Sequence, residues 1–164
     1  MKASRFPLRW RWFAAVVVVL VALLVAINIA LDWTLPRYLV GKIRADLNRD
    51  ARLIVDLGGQ PAAADLNHAA HEWAKHTGLR VTIIAKDGVV LAESDLPPDQ
   101  LSKIENHLDR PEVRSALESG AGSAQRHSDT IGTDLLYVAV RDGDRIIRVA
   151  IPLYEIAEIT RHVR

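Results

Sequence analysis

The sequence predicts an α+β protein in which an N-terminal transmembrane helix precedes a five-stranded antiparallel sheet packed against an N-terminal helical hairpin. Three observations lead to this prediction. A single long apolar segment lies near the N-terminus. Apolar residues then recur at every third or fourth position, as in amphipathic helices. From residue 79 the period becomes two, and Asp-Gly dipeptides separate strand-like segments, which indicates hairpins.

The apolar segment is long enough to cross a bilayer. Residues 13–31 contain no charged side chain and a single polar one, Asn28. A helix of about nineteen residues covers roughly 28 Å, close to the thickness of the hydrocarbon core. Three tryptophans flank it, as at a membrane interface: Trp10, Trp12 and Trp33. We therefore assign residues 13–33 to a transmembrane helix. The alternative is a cleaved signal peptide, which has a shorter apolar core.

The charges on either side of this segment predict its orientation. Residues 1–12 contain no acidic residue and four basic ones: Lys2, Arg5, Arg9 and Arg11. Basic residues close to a span stay on the cytoplasmic side of the membrane. The basic residues that follow the span are interrupted by Asp32 and Asp46. We therefore expect a protein of the cell inner (cytoplasmic) membrane, with a cytoplasmic tail and an extracytoplasmic domain.

The composition argues against a nucleic-acid partner. The 164 residues include 21 Lys or Arg and 20 Asp or Glu, and no basic stripe lies beyond the membrane flank. The absence of cysteine says little about the compartment, because an exported domain of this size does not need disulfides. The residues after the span correspond in number to one ordinary domain.

Two helices are predicted between residues 34 and 78, a membrane-exit helix and a second helix. Apolar residues recur at every fourth position of the first: Leu35, Leu39, Ile43 and Leu47. We expect this stripe to form a dimer and transmission interface, while packing on the protein's own domain is a compatible alternative. Pro36 is expected to kink this helix or to start a new one. The second helix, residues 62–76, is expected to end at Gly78.

Residues 79–153 are predicted to form the sheet. Its strands are expected at residues 80–85, 89–94, 123–130, 134–141 and 145–153. Between the second and third strands, Asp109 is expected to cap a helix, with Pro111 in its first turn and Glu112 reaching back. Residues 154–164 are predicted to form a C-terminal helix that leads toward a second membrane span, which the sequence does not contain.

Three segments of the sheet region carry a more specific pattern. They are Arg80-Val81-Thr82-Ile83-Ile84 with Asp87-Gly88-Val89-Val90-Leu91-Ala92-Glu93-Ser94; Glu105-Asn106-His107-Leu108-Asp109-Arg110-Pro111-Glu112-Val113; and Gly122 with Arg126-His127-Ser128-Asp129-Thr130 and Leu135-Leu136-Tyr137-Val138-Ala139-Val140. Together they resemble the extracytoplasmic sensor domain of phosphate-regulon-type (PhoR-like) sensor histidine kinases. The resemblance covers Leu79 to Leu153 and implies a PAS-like sensor fold between two membrane helices.

In that family a second membrane helix, a HAMP linker, a histidine-bearing dimerisation domain and an ATP-binding domain follow. The resemblance therefore implies a two-component system, in which a histidine is autophosphorylated and the phosphoryl group passes to a response regulator. The sequence contains none of these later domains, so we expect no enzymatic activity within the chain. We expect the chain to be a fragment of a longer kinase; a stand-alone remnant is the alternative.

The candidate ligand-binding residues surround the Asn-His motif. Asn106, His107 and Arg110 are expected to line a small pocket over the open face of the sheet. Arg126 and Arg148, on nearby strands, could meet an anion there. The alternative is that the motif is architectural and only positions the segment that crosses the sheet. A solvent-facing strand position is the alternative for all four strand arginines, Arg80, Arg126, Arg141 and Arg148. Tyr137 is more typical of the core, with its hydroxyl hydrogen-bonded.

No catalytic residue, cofactor or metal site is expected. His71 and His76 are five residues apart, about 140° around a helix, whereas the zinc-protease motif requires four. We interpret the chain as a sensor that transmits its stimulus by helix displacement. The alternative is a membrane-anchored protein-interaction module with no small-molecule ligand. The expected partners are the membrane, a second copy in a homodimer, and an extracytoplasmic protein or small ligand.

Overall fold

The computed structural model describes residues 8–59, 61–128 and 132–153. The chain divides into two compact units, residues 1–40 and 41–164. The predicted C-terminal helix, residues 154–164, lies outside the described residues, as does the predicted end of the third strand at residues 129–130.

The described part of the first unit belongs to helix α1, which runs from Leu8 to Leu57. Among the described residues, this is the one helix that is long and apolar enough to cross a membrane, by length and composition. Its side-chain amide at Asn28 is bonded within the helix, since Nδ2 donates to the carbonyl oxygen of Leu24 at 3.0 Å. The helix continues through position 36, so no second helix starts there. The loss of one backbone hydrogen bond at a proline is tolerated where the surrounding residues favour a helix.

A helical hairpin opens the second unit and covers one face of the sheet. The last turns of α1 bury Leu47, Ala51 and Ile54 in the core. Helix α2 runs from Leu66 to Thr77 and begins later than predicted, because Ala63–Asp65 form a 3-10 turn. It ends as predicted at Gly78, whose φ of 69° lies in the left-handed region that glycine adopts without strain.

Five strands form one sheet in which all neighbours are antiparallel. They are β1 (Arg80–Ala85), β2 (Val90–Glu93), β3 (Ala121–Ser128), β4 (Thr133–Asp142) and β5 (Arg145–Pro152), in the spatial order β2-β1-β5-β4-β3. The predicted strands are confirmed to within two residues at each end that lies within the described residues. Helix α3, Pro111–Ser119, lies between β2 and β3 in the chain.

The strands divide their side chains between two faces. The first face is apolar and packs on the helical hairpin, with Val81, Ile83, Leu136, Val138 and Val149 at its centre. The second face has an apolar cluster under α3, where Ile84, Ala139 and Ile146 pack against Val113 and Ala116. A smaller apolar cluster on this face consists of Leu135, Tyr137 and Ala150. The rest of the second face carries buried polar side chains, among them Thr82, Glu93 and Arg148. A sheet face that buries charges is unusual, and it marks the candidate site.

Candidate functional site

A tight turn holds the segment that crosses the second face. Gly88, in the turn between β1 and β2, has a φ of 86°. Its carbonyl oxygen accepts a hydrogen bond from the backbone N–H of His107 at 2.8 Å. The side chain of Asn106 donates to the carbonyl oxygen of Asp87 at 2.8 Å and accepts from the N–H of Leu108 at 2.8 Å. These bonds fix residues 104–110, the crossing segment, over the sheet.

A cavity of about 290 Å³ lies beneath the crossing segment. Strand residues form its floor: Arg80, Glu93, Arg126, Ser128, Tyr137 and Arg148. Its walls come from the chain between β2 and α3: Leu96, Gln100, Lys103, Ile104, Glu105, His107 and Arg110. The volume suits a small ligand, at the lower end of the range seen for ligand pockets.

Paired charges are buried in the floor of this cavity. Glu93 accepts hydrogen bonds from Arg80 Nε and from Thr82 Oγ1, each at 2.8 Å. Arg148 Nη2 donates to Thr82 Oγ1 at 3.0 Å and lies 3.8 Å from Glu93 Oε2. The sheet register causes this meeting, because Thr82 lies opposite Glu93 on one side and opposite Arg148 on the other.

Glu112 also belongs to this group, contrary to its predicted role in a helix cap. The N-cap residue of α3 is Arg110, and no side chain caps the helix. Glu112 is fully buried, and its Oε1 lies 3.3 Å from Arg126 Nη2 and 3.5 Å from Arg148 Nη1. Two guanidinium groups, one buried and one partly exposed, are stronger partners for a carboxylate than one backbone N–H, so the predicted capping box is wrong. We call Arg80, Glu93, Glu112, Arg126 and Arg148 the charge cluster.

Tyr137 separates two arginines of the charge cluster. The Cζ atoms of Arg126 and Arg148 lie 4.1 and 4.9 Å from the centre of its ring. The face of an aromatic ring attracts a cation, so the ring can hold two like charges close together. Tyr137 is buried, as predicted for a core residue, and it packs in a small apolar cluster with Leu135 and Ala150 as well as against the two arginines.

Several donors of the cluster have no hydrogen-bond partner among the described residues. They are Nε and Nη1 of Arg148 and Nε of Arg126. Burial lowers the pKa of Arg148, and the charges of Glu93 and Glu112 oppose this. Burial acts in the same direction on Arg80, but its hydrogen bond to Glu93 and the nearby carboxylates prevail and raise its pKa. Buried donors that lack a partner are costly unless a ligand satisfies them, and an anion would do so.

His107 faces this cavity as a neutral ring. Its side chain is buried, and burial together with the positive charges of Arg148, Arg110 and Arg126 lowers its pKa to about 3. Its Nδ1 is buried without a hydrogen-bond partner in the described part of the chain. A neutral imidazole can donate or accept one hydrogen bond at each nitrogen, depending on the tautomer.

Four of the five predicted ligand-binding residues line the same cavity: His107, Arg110, Arg126 and Arg148. Asn106 does not line it, because both ends of its amide are used to hold the crossing segment. The architectural interpretation therefore describes Asn106 well.

The four residues of the predicted transmission stripe differ in burial. Leu47 is buried in the core of its own domain and Ile43 packs against that core. Leu39 is partly exposed and Leu35 is exposed. The core-facing part of the stripe therefore fits the compatible alternative, a helix that covers its own domain.

Sequence reasoning missed Arg80, Glu93 and Glu112. Arg80 was expected to face solvent, yet its side chain is only 10% exposed because Glu93 holds it against the floor. The sequence did contain a signal for Arg80 and Glu93. The Asp87-Gly88 hairpin sets the register of β1 and β2, and strand alternation then puts Arg80 and Thr82 on the face that Glu93 shares. No comparable signal identified Glu112.

Comparisons with known proteins bear on the fold. No protein-family model and no curated protein sequence matches the chain. Among solved structures, the chain is similar to the sensor domain of DcuS from E. coli, with a TM-score of 0.55 and 12% sequence identity. The match covers 74% of this chain and 96% of that chain. The similarity confirms the predicted α+β, PAS-like sensor fold.

Proposed function

We propose that this protein is the extracytoplasmic signal-sensing part of a membrane-bound two-component sensor histidine kinase of the PhoR-like type. The observation that carries the proposal is the charge cluster under the crossing segment, within a PAS-like fold whose chain begins with an apolar helix. In this role a small anion occupies the cavity. Arg126 and Arg148 bind its negative charge, and His107 and Arg110 contact it from above.

The proposal includes a position in the cell. Residues 13–33 cross the inner membrane, the basic tail stays in the cytoplasm, and the domain faces the extracytoplasmic side. A second copy of the chain is the proposed partner of α1. In this proposal the phosphorelay runs through a kinase core to a response regulator, and the domain described here supplies the signal.

Signal transmission is proposed to pass from the cavity to the helical hairpin. Glu93 precedes Ser94, whose carbonyl oxygen lies 3.3 Å from Nδ1 of His71 on α2. A bound anion competes with Glu93 for Arg148 and so releases the end of β2. The end of β2 then shifts α2, and with it α1 in the same hairpin. Helix displacements of about 1–2 Å are a known means of switching.

Calorimetric titration of the whole chain in lipid nanodiscs tests the proposal. We expect small anions to bind. Magnesium chloride at matched ionic strength is the cation control, and we expect no binding heat from its magnesium ion. Arg110→Ala should weaken anion binding roughly tenfold, because it removes one charge-assisted hydrogen bond. The matched control is Arg114→Ala, since Arg114 is exposed on α3 and pairs with Asp109 at 3.0 Å, outside the cavity.

Two outcomes would contradict the sensor proposal. One is a folded protein that binds no anion in the titration; this would favour the membrane-anchored protein-interaction module. The other is an equal loss of anion affinity in Arg110→Ala and Arg114→Ala. This result would show that anions bind to the general surface charge and not in the cavity.

A further inference from the structure

The sheet has two edge strands, β2 and β3, which differ in their protection against further pairing. Strand β2 has four residues, and an irregularity between Ile83 and Ile84 interrupts its pairing with β1. Strand β3 has eight residues, no proline and no lysine, and its register with β4 is continuous. Short strands, bulges, proline and lysine are the usual means of keeping an edge from pairing. The edge of β3 is therefore the one suited to accept another strand.

The pairing with β4 shows which backbone groups of β3 point away from the sheet. In an antiparallel ladder, residues that bond to the facing strand alternate with residues whose N–H and C=O point to the other side. Gly120 lies opposite Arg141, one step beyond the β3 register, and accepts a hydrogen bond from its N–H at 3.0 Å. Counting on from Gly120, four residues direct their backbone groups outward: Ala121, Ser123, Gln125 and His127.

The middle of this edge has free backbone groups. At its two ends, a side-chain hydroxyl bonds the carbonyl oxygen of Ala121 at 3.0 Å, and a guanidinium group bonds that of His127 at 3.3 Å. The outward N–H and C=O groups of Ser123 and Gln125 bond no other described residue. Each of these two residues therefore presents one free donor and one free acceptor.

Helix α1 places positive charge beside the edge. A groove between the two is lined by Gly41, Arg44, Ala45, Asn48, Ala121, Gly122 and Ser123. Arg44 is exposed and has no ion-pair partner in the described part of the chain. Arg52 donates to the side chain of Asn48 at 2.8 Å. Asp46 and Asp50 are each two positions from Asn48, about 200° around the helix, and so lie on its opposite side. The groove side of α1 is therefore basic.

A second copy of the chain does not suit this edge if both copies are anchored in one membrane, a step that rests on the proposed function. Antiparallel pairing of two β3 strands relates the copies by a two-fold axis perpendicular to the sheet. Such an axis reverses every direction in the plane of the sheet, including that of α1, which lies along the first face from Gly41 to Ile54. The two α1 helices would then enter the membrane from opposite directions.

We propose that the edge of β3 is a docking site for an extended, acidic segment of another extracytoplasmic protein. The segment pairs with Ser123 and Gln125 as an antiparallel sixth strand, and its carboxylates face Arg44. Residues directly opposite each other in such a pair have their side chains on the same face. Because Ser123 faces the groove, the residues of the segment that bond to β3 are the ones whose side chains enter the groove.

The first test uses a short synthetic peptide in which valine and glutamate alternate, titrated into the full chain in nanodiscs of uncharged lipid. N-methylation of the glutamates removes the N–H groups that bond to β3 and should weaken binding roughly tenfold. N-methylation of the valines, whose N–H groups face away, should leave the affinity unchanged. A peptide of valine and lysine should also bind roughly tenfold more weakly. Equal effects of the two methylations, equal binding of the lysine peptide, or no binding of the glutamate peptide would overturn the proposal.

The second test changes the edge. Ser123→Pro removes an outward N–H, and proline is tolerated at such edge positions. We expect the variant to bind the glutamate peptide roughly tenfold more weakly, and Ser123→Thr, which keeps the N–H, to bind it as the wild type does. Gln125→Pro replaces Ser123→Pro if thermal melting shows that variant unfolded. Wild-type affinity in a folded proline variant would contradict docking at this edge.

The third test changes the groove charge. Arg44→Ala should weaken binding of the glutamate peptide roughly threefold, as expected for an exposed ion pair. Lys42→Ala is the matched control, because Lys42 is two positions away and so lies on the opposite side of α1. An equal loss of affinity in both variants would assign the binding to general surface charge and overturn the proposal.

Further measurements separate this proposal from its rivals. If Ser123→Pro changes the full chain from a dimer to a monomer in sedimentation, the edge belongs to a second copy and the docking proposal is wrong. Anion titration of the same samples is independent of the edge. Peptide binding without anion binding would contradict the sensor proposal alone, and anion binding without peptide binding would contradict the docking proposal alone.

Discussion

At the scale of the residue, the unusual feature is the number of charges that the second face of the sheet buries. Each buried ion loses its hydration, and the loss is offset only when its partners are close and well oriented. Arg148 meets this condition in part: Nη2 donates to Thr82, and Glu93, Glu112 and the ring of Tyr137 lie nearby, but Nε and Nη1 have no hydrogen-bond partner among the described residues. The cluster is therefore sensitive to the loss of any one member.

Arg148→Ala should lower the free energy of unfolding by about 3–5 kcal/mol, because it leaves Glu93 and Glu112 buried without a guanidinium group that lies close to both. Arg114→Ala should change it by no more than about 1 kcal/mol, since both partners of that ion pair are exposed. Urea denaturation of the two variants beside the wild type measures the difference. Similar midpoints for the two variants would show that Arg148 is not part of a paired network in the folded protein.

His107 should make stability fall in mild acid. Its pKa is about 3 in the folded protein and near 6.5 when unfolded, so between these values the unfolded state binds a proton that the folded state does not. Its contribution is complete above pH 6.5 and is lost toward pH 3, by about 1.4 kcal/mol per pH unit. Unfolding measured from pH 7.5 to 4.5 for the wild type and His107→Gln should show a shallower slope in the variant. Identical slopes would contradict a depressed pKa at this residue.

At the scale of the element, the crossing segment depends on one glycine. A Cβ at Gly88 would collide with Asn106 Oδ1 and the backbone nitrogen of Leu108, and its φ of 86° is strained for any other residue. Gly120 has almost the same φ, 87°, but a Cβ there would meet nothing within 4 Å. Alanine variants at the two glycines can therefore distinguish the cost of a left-handed backbone, which both share, from the cost of a steric collision, which occurs only at Gly88.

Gly88→Ala should therefore destabilise the protein more than Gly120→Ala, which should cost about 1–2 kcal/mol from the left-handed conformation alone. Gly88→Ala should also weaken anion binding, because it displaces His107, whereas Gly120→Ala should leave binding unchanged. Denaturation and calorimetry on both variants test this. The expectation fails if both variants lose the same stability and keep the same affinity.

Elements were easier to predict than the site that they form. The strands could be predicted because alternation and Asp-Gly turns are local signals, and Gly78 because a left-handed helix end favours glycine. Glu112 could not be placed, because its position in a helix start fits a cap, and only the packed sheet offers it Arg126 and Arg148 instead. Likewise, the stripe ending at Leu47 shows that a helix has an apolar side, but not which surface covers that side.

At the scale of the whole molecule, the proposed homodimer must use a surface of α1 that its own domain leaves free. Leu47 is 3% exposed, whereas Leu53 and Leu57 are 46% and 81% exposed. The sequence has no cysteine, so single cysteines can be introduced without a background. Leu53→Cys should form disulfide-linked dimers when membranes that contain the full chain are oxidised, and Leu47→Cys should not. Cross-linking at Leu47 alone would place the dimer interface on the surface that the monomer buries.

The burial of the charge cluster has one further consequence, which concerns the surroundings of the cell. Mobile ions weaken attraction between exposed charges beyond a Debye length of about 8 Å at physiological salt and about 3 Å at 1 M. Such ions cannot enter between Arg148 and a molecule bound against it, although they do surround Lys103 at the rim. A rise in external salt would therefore affect such a sensor mainly through anions that compete for the cavity, and much less through screening.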